Sequence, residues 1–161
     1  MKKWLLLTAV LGMAACSSID CPVQNIVATV YTFKNADGTA DTLRYDTLTV
    51  TTRRADGHMH TLLNSSTGTS QMQLPVSLSN PTDTLILTVG DTLKRITTDT
   101  IYLHKTDQPH FESVDCNLSY FHYITSVTST HQRIDSIVLV NPTVNYDLEK
   151  EHMHIYFKAR Y

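Results

Sequence analysis

The sequence predicts an all-β protein in which two antiparallel sheets pack as a β-sandwich. Apolar and polar residues alternate along much of the chain, as they do in strands with one buried face. No long stretch has the period of an amphipathic helix. Turn-forming pairs separate the alternating runs at short intervals, a spacing typical of immunoglobulin-like sandwiches or related folds.

The first half of the chain contains strands of two kinds. The run Ile26–Phe33 is almost uniformly apolar, so we expect it to be buried on both faces. Leu48 and Val50 alternate with threonines, and Gln71–Leu78 alternates throughout, so these strands have one buried and one wet face. Pro75 lacks the N–H group that a central strand needs, and it therefore predicts a sheet edge.

The second half continues this pattern. Two more apolar runs, Leu85–Val89 and Ile137–Val140, predict strands that are buried on both faces or nearly so. Gly90-Asp91 lies between two strands and predicts a β-hairpin. Other turns are marked by Asp37-Gly38, Asp56-Gly57, Asn80-Pro81 and Asn141-Pro142. We expect strands near residues 23–33, 42–52, 58–63, 71–78, 83–89, 92–97, 99–104, 117–127, 132–140 and 152–158.

The N-terminal segment has the features of a secretory signal. Two lysines precede an apolar stretch of about ten residues, which is too short to span a bilayer as a permanent helix. Two alanines then precede Cys16, a pattern that resembles the lipobox of bacterial lipoproteins. The resemblance implies that residues 1–15 are a signal peptide, that Cys16 is lipidated, and that residues 16–22 are a short tether. Residues 23–158 would then form one sandwich domain.

Two further cysteines, Cys21 and Cys116, would lie in an oxidising compartment after export. We expect them to form a disulfide, which would hold the first strand close to the tether. The alternative is a pair of reduced, buried thiols. A redox-active role is not indicated, because the sequence has no Cys-x-x-Cys motif.

The charge of the chain argues against nucleic acid as a partner. Removal of the first fifteen residues takes away two lysines and no acid, which changes the formal net charge from −2 to −4. The basic residues are also not clustered. We therefore expect attachment to a membrane through the lipid and not through a basic patch.

No catalytic signature is present. The sequence has no Gly-x-Ser-x-Gly elbow and no phosphate-binding glycine loop, and its carboxylates are mostly single. We therefore predict a protein that is not an enzyme and that needs no cofactor.

Two His-Met-His triplets offer an alternative function in metal binding. Residues i and i+2 of a strand lie on one face, about 6.5–7 Å apart, which suits two zinc ligands. If strands 58–63 and 152–158 are neighbours, the ligands would be His58, His60, His152 and His154. However, His152 and His154 share a face with Tyr156 and Lys158, which predicts a wet surface with an unhelpful cation.

Two further alternatives are a carbohydrate-binding surface module and a fimbrial-type subunit. Tyr120, Phe121 and Tyr123 are the candidate stacking residues for a sugar, although alternation predicts that at least half of this region is core. A fimbrial subunit needs an exchangeable terminal strand. A bond between Cys21 and Cys116 would pin the first strand and count against it.

The last third of the chain resembles a family of small Bacteroidota lipoproteins of unknown function. The similar segments are Phe111–His122, Ile134–Ile137, Asn141–Asp147 and Glu151–Phe157, within residues 110–158. Asn117 departs from the glycine that is associated with the family at this position. The resemblance implies a lipoprotein and transfers no activity.

These observations together predict a lipid-anchored protein of the cell envelope with a binding or assembly role. Surface lipoproteins of that group usually carry an acidic run after the lipidated cysteine, whereas here only Asp20 follows. We therefore expect an outer-membrane lipoprotein that faces the periplasm, with surface exposure as the alternative. The expected partner is another envelope protein, contacted through an edge strand or loops that stand away from the tether.

Overall fold

The computed structural model describes Cys21 and residues 26–78, 80–114 and 116–159. The expectations for the signal peptide and Cys16 lie outside these residues. The described residues form ten strands: β1 (Ala28–Lys34), β2 (Thr47–Arg53), β3 (Met59–Ser66), β4 (Gln71–Pro75), β5 (Thr82–Gly90), β6 (Ile96–His110), β7 (Ser119–Ser129), β8 (Ile134–Leu139), β9 (Thr143–Val144) and β10 (Met153–Phe157). Within the described residues, no helix is long and apolar enough to cross a membrane.

The strands form two sheets, which confirms the predicted all-β sandwich. The smaller sheet has the order β4-β1-β10-β8 and the larger has the order β3-β2-β5-β6-β7-β9. The pairing is largely antiparallel, as predicted, with one parallel pair, β1 with β10. A parallel pair needs a long connection, and here most of the chain lies between the two strands. Pro75 ends the edge strand β4, as predicted.

The core lies between the inner faces of the two sheets. Tyr31, Phe33 and Ile155 of the small sheet and Leu87 and Ile101 of the large sheet are among its fully buried members. Burial alternates along β5 as the period of two requires, so the prediction that Leu85–Val89 is buried on both faces holds for the inner face only: Ile86 and Thr88 are half-buried. Residues 28–33 of β1 are all buried, as predicted from their apolar run, because β1 is a central strand.

Three predicted strands are revised. The segments 92–97 and 99–104 are not two strands: residues 91–95 form the turn after Gly90, and residues 96–110 form the single 15-residue strand β6. Asp91 closes this turn by accepting bonds from the backbone of Leu93 and Arg95. The run Ile137–Val140 is not buried on both faces. It covers the end of the edge strand β8 and the residue after it, and Val138 and Val140 are about half exposed.

A buried carboxylate fixes the turn between β7 and β8. Asp99 of β6 accepts four hydrogen bonds, from the Thr130 hydroxyl (2.7 Å) and from the backbone N–H groups of Gln132 (2.7 Å), Arg133 (2.6 Å) and Ile134 (2.8 Å). Burial alone would raise the pKa of Asp99, but these bonds outweigh it and hold the pKa below its usual range. The turn therefore depends on an ionised side chain from a neighbouring strand.

Candidate functional site

A row of charged residues crosses one end of the inner face of the large sheet. Asp83 lies two residues before Leu85 on β5, Lys105 lies two residues after Leu103 on β6, and His122 lies two residues before Ile124 on β7. Each polar residue therefore continues a column of core side chains. We call Asp83, Lys105, Asp107 and His122 the charged row.

Asp107 joins the charged row together. Its Oδ1 atom lies 2.7 Å from Lys105 Nζ and 2.6 Å from His122 Nδ1. The exposed fraction of the side chain is 0% for Lys105, 3% for His122 and 28% for Asp107. Asp83 anchors the other end, where its Oδ2 atom accepts the backbone N–H of Ser77 at 2.9 Å. The row thus connects β5, β6 and β7 with the chain that follows β4.

The two acids of the row have opposite pKa shifts. Burial raises the pKa of Asp83, and the hydrogen bond from Ser77 and the charge of Lys105 offset this only in part. Burial also acts on Asp107, but the bonds from Lys105 and His122 outweigh it and lower the pKa of that carboxyl. Asp107 is therefore the acid of the row that stays ionised most readily.

Two hollows flank the charged row. A cavity of about 360 Å³ is lined by Val27, Val76, Leu78, Leu118 and His122, among others. A larger hollow of about 800 Å³ lies on the other side, and Arg53, Arg54 and Asp83 contribute to its walls. The chain after β4 separates the two, because Ser77 lines the second and Val76 and Leu78 line the first.

Within the charged row, the Asp107 carboxylate neutralises the buried Lys105 ammonium group. A carboxylate that orients a histidine is also the arrangement used for proton transfer, but here Asp107 is shared with a fully enclosed ammonium group. The sequence contains a signal for the row that its short motifs do not. The charged residues lie two positions from core residues on the same strand face, where charges without a partner are rare.

The disulfide lies at the same end of the sandwich as the charged row. Cys21 and Cys116 are bonded, as predicted, with their Cα atoms 5.7 Å apart. Cys116 belongs to the loop between β6 and β7, where its backbone N–H and its Sγ atom both contact Ser113. Exposed apolar residues lie in this loop (Phe111, Val114 and Leu118) and at the same end of the sandwich (Ile26 and Leu78).

The structure does not bring the four candidate metal ligands together. His58 and His60 lie in and beside β3 at the edge of the large sheet, whereas His152 and His154 lie in and beside β10 of the small sheet. The two strands are not neighbours, so the four-histidine metal site is wrong. The described residues contain no other group of three or more metal-ligating side chains.

The expectation that His152 lies on a wet face is also wrong. His152 is fully buried, and its Nδ1 atom accepts the backbone N–H of Val30 while its Nε2 atom lies 3.1 Å from the carbonyl oxygen of Thr143. Burial lowers the pKa of His152. The ring therefore serves as a neutral brace. His154 contacts Glu151 Oε2 at 2.6 Å, and Glu151 also binds Lys34 at 3.0 Å.

The candidate sugar-stacking residues do not form a platform. The ring of Phe121 stacks on His110 with centroids 4.0 Å apart, and Tyr146 contacts the edge of this pair. Tyr120 is half-buried in the wall of the cavity that Leu78 and Leu118 line, and Tyr123 is exposed. The aromatic faces are thus divided among different environments.

A second exposed apolar group lies at the opposite end of the large sheet. Thr47 pairs with Gly90, and Gly90 pairs with Ile96, so the start of β2 and the turn before β6 share this end. Tyr45, Leu93 and Ile96 are exposed there by 68%, 70% and 74%. We call these three residues the distal group.

One family model matches residues 47–157, and it describes a family of unknown function, DUF6452. The match is longer than the resemblance seen in residues 110–158 and includes most strands of both sheets. No curated protein and no solved structure matches the chain.

Proposed function

Since this chain belongs to a family whose function is unknown, we propose from its own residues that it is a lipid-anchored protein of the cell envelope. In this proposal residues 1–15 are a signal peptide and Cys16 carries the lipid. The domain faces the periplasm from the outer membrane and acts as a non-enzymatic binding or assembly module. Its partner is another envelope protein.

The disulfide is the observation that carries the proposal. Cys21 is bonded to the β6–β7 loop, and Cys16 lies only five positions before it, with four residues between them. Five extended residues span at most about 18 Å, so a lipid on Cys16 would hold this end of the sandwich near the membrane. The strand β6 starts at the other end and has 15 residues, which corresponds to a length of about 46 Å. A lipid at Cys16 would therefore direct the distal group away from the membrane.

The distal group has the character of a contact surface. Two aliphatic side chains and one tyrosine are each more than two-thirds exposed. Arg95 lies beside them and is held by Asp91 at 2.6 Å, and Lys94 adds a second cation in the same turn. Apolar residues with a tyrosine and a basic rim suit a protein partner with an apolar, acidic patch.

The charged row supports a non-enzymatic role. The Lys105 ammonium is enclosed, and its counterion also binds His122. A group held in this way contributes to the connection between β5, β6 and β7 rather than offering itself to a substrate.

The proposal is tested by site-specific photocrosslinking in intact cells that produce the full chain. A photoreactive amino acid replaces Leu93 in one variant and Tyr102 in a matched control. Tyr102 is also exposed, but it lies within β6, away from the distal group. We expect one discrete adduct from position 93 and none from position 102. Equal adducts at both positions, or none at position 93, would contradict the proposed contact surface.

The anchor is tested separately by exchanging residues 1–16 for a signal that is cleaved without lipidation. The unmodified protein should stay in the membrane fraction after an alkaline wash, and the exchanged protein should be released. Retention of both proteins would contradict a lipid anchor at Cys16.

A further inference from the structure

Exposed apolar residues are grouped at the disulfide end of the sandwich. We define the rim as Ile26, Leu78, Phe111, Val114 and Leu118, whose exposed fractions range from 51% to 84%. Phe111, Val114 and Leu118 belong to the β6–β7 loop that contains Cys116. Leu78 and Leu118 line one cavity together with Val27, the neighbour of Ile26. Three segments of the chain therefore contribute to the rim.

We infer that this rim dips into the surface of the lipid bilayer, so that the protein has a fixed orientation on the membrane as well as an anchor. The inference rests on the proposed lipid at Cys16. Three rim residues lie in the same loop as Cys116, and Cys116 is bonded to Cys21. Cys16 lies five positions before Cys21, so the lipid stays within about 18 Å of it and the bilayer is the surface that the rim meets first.

The charges of the loop favour the apolar part of the lipid interface. Residues 111–118 contain two acids and no lysine or arginine. Glu112 is paired with His110 at 2.7 Å. Binding through anionic headgroups needs clustered cations, whereas apolar side chains enter the boundary between headgroups and acyl chains. The contact is thus expected with zwitterionic lipids and should be insensitive to salt.

The short tether also strengthens the contact between the rim and the bilayer. One side chain of this size binds a membrane weakly, but a tether of this length keeps the rim at a high effective concentration beside the bilayer. With the rim in the bilayer, β6 would extend away from the membrane over its length of about 46 Å. The distal group would therefore lie far from the membrane surface.

The test uses the absence of tryptophan from the mature chain. Trp4 is the one tryptophan of the sequence, and it lies in the proposed signal peptide. Leu118→Trp places a reporter on the rim, and Leu93→Trp places a matched reporter in the distal group. Each full chain is produced in cells, purified from the membrane and reconstituted into phosphatidylcholine vesicles, with and without lipids brominated near the headgroup end of the acyl chains.

The expected result is a blue-shifted emission at position 118 that brominated lipid quenches several-fold more strongly than at position 93, at low and at high salt. Equal solvent-like emission at the two positions, in a protein whose mass includes the lipid, would overturn the inference and leave the proposed anchor intact. A mass without lipid would instead overturn the anchor, and with it the orientation. Urea unfolding of both variants, compared with the unmodified protein, checks that neither substitution disturbs the fold.

Discussion

In the charged row, we predict that Lys105→Met destabilises the native protein but stabilises the Asp107→Asn variant. Asp107→Asn removes the counterion of Lys105 but keeps a carbonyl oxygen that can accept a hydrogen bond from His122. The ammonium group of Lys105 is then buried without its closest partner, which lies 2.7 Å away in the native protein. We expect Asp107→Asn to destabilise the protein and Lys105→Met to stabilise that variant.

The size of the effect follows from the burial of the pair. Loss of one partner from a buried ion pair costs about 3–5 kcal/mol in free energy of unfolding. The lower end applies here, because Asp83 remains near Lys105 and Asp107 is partly exposed. We therefore expect a loss of about 3 kcal/mol for Asp107→Asn, and a recovery of about 2 kcal/mol when Lys105→Met is added. In the native background Lys105→Met should destabilise, since it leaves two acids without a cation.

The assay is urea unfolding of the four proteins of this double-mutant cycle at pH 7, with the disulfide intact. A shift of the midpoint at constant slope reports the change in free energy. The low pKa of Asp107 adds a check. A carboxyl with a lowered folded-state pKa contributes stability that is present above the unfolded-state value of about 3.9 and is lost as the pH falls through the folded-state value. The deficit of Asp107→Asn should therefore shrink in acid.

Additive effects of the two substitutions would contradict the predicted coupling between Asp107 and Lys105. In that case Lys105→Met would change the midpoint by the same amount and in the same direction in both backgrounds. Asp135→Asn, on the exposed edge strand β8, is the matched control and should leave the midpoint unchanged.

Three further predictions concern other polar contacts. Asp99→Ala leaves three backbone N–H groups and one hydroxyl without their acceptor, so it should lower the free energy of unfolding by about 3 kcal/mol in urea at pH 7; an unchanged midpoint would show that water replaces the carboxylate. Replacement of Cys21 and Cys116 by serine should cost about 4–5 kcal/mol, because the bond closes a loop over 95 residues; the same loss should follow reduction of the native protein, and a smaller difference would mean that the loop is already restricted. The pKa of His152 is lowered in the folded protein, so the unfolded state binds its proton more readily and the free energy of unfolding should fall as the pH drops below about 6.5. His152→Gln should flatten this decline between pH 7 and 5. An equal slope in both proteins would contradict the role of His152 as a neutral brace.

The elements that the sequence predicted well are those set by local chemistry. Alternation along β2 and β4 follows from one buried face, and Pro75 lies at an edge because it cannot donate a ladder hydrogen bond. The bond between Cys21 and Cys116 followed from compartment and from the number of cysteines, which needs no knowledge of strand order.

The features that the sequence missed depend on distant partners. The parallel pairing of β1 with β10 joins the two ends of the domain, and no local pattern records it. Val138 looks like a core residue but lies on an edge strand, and His152 looks exposed but braces Val30 against Thr143. In both cases the burial of a residue is decided by the neighbour of its strand and not by its own alternation.

The most direct test of the central claim is the intact mass of the protein extracted by detergent from the membranes of cells that produce the full chain. We expect the mass of residues 16–161 with acyl groups on Cys16 and with the two other cysteines oxidised. Fragmentation should place every acyl group on the N-terminal residue. A chain that begins elsewhere, or one with a free thiol at Cys16, would contradict the account.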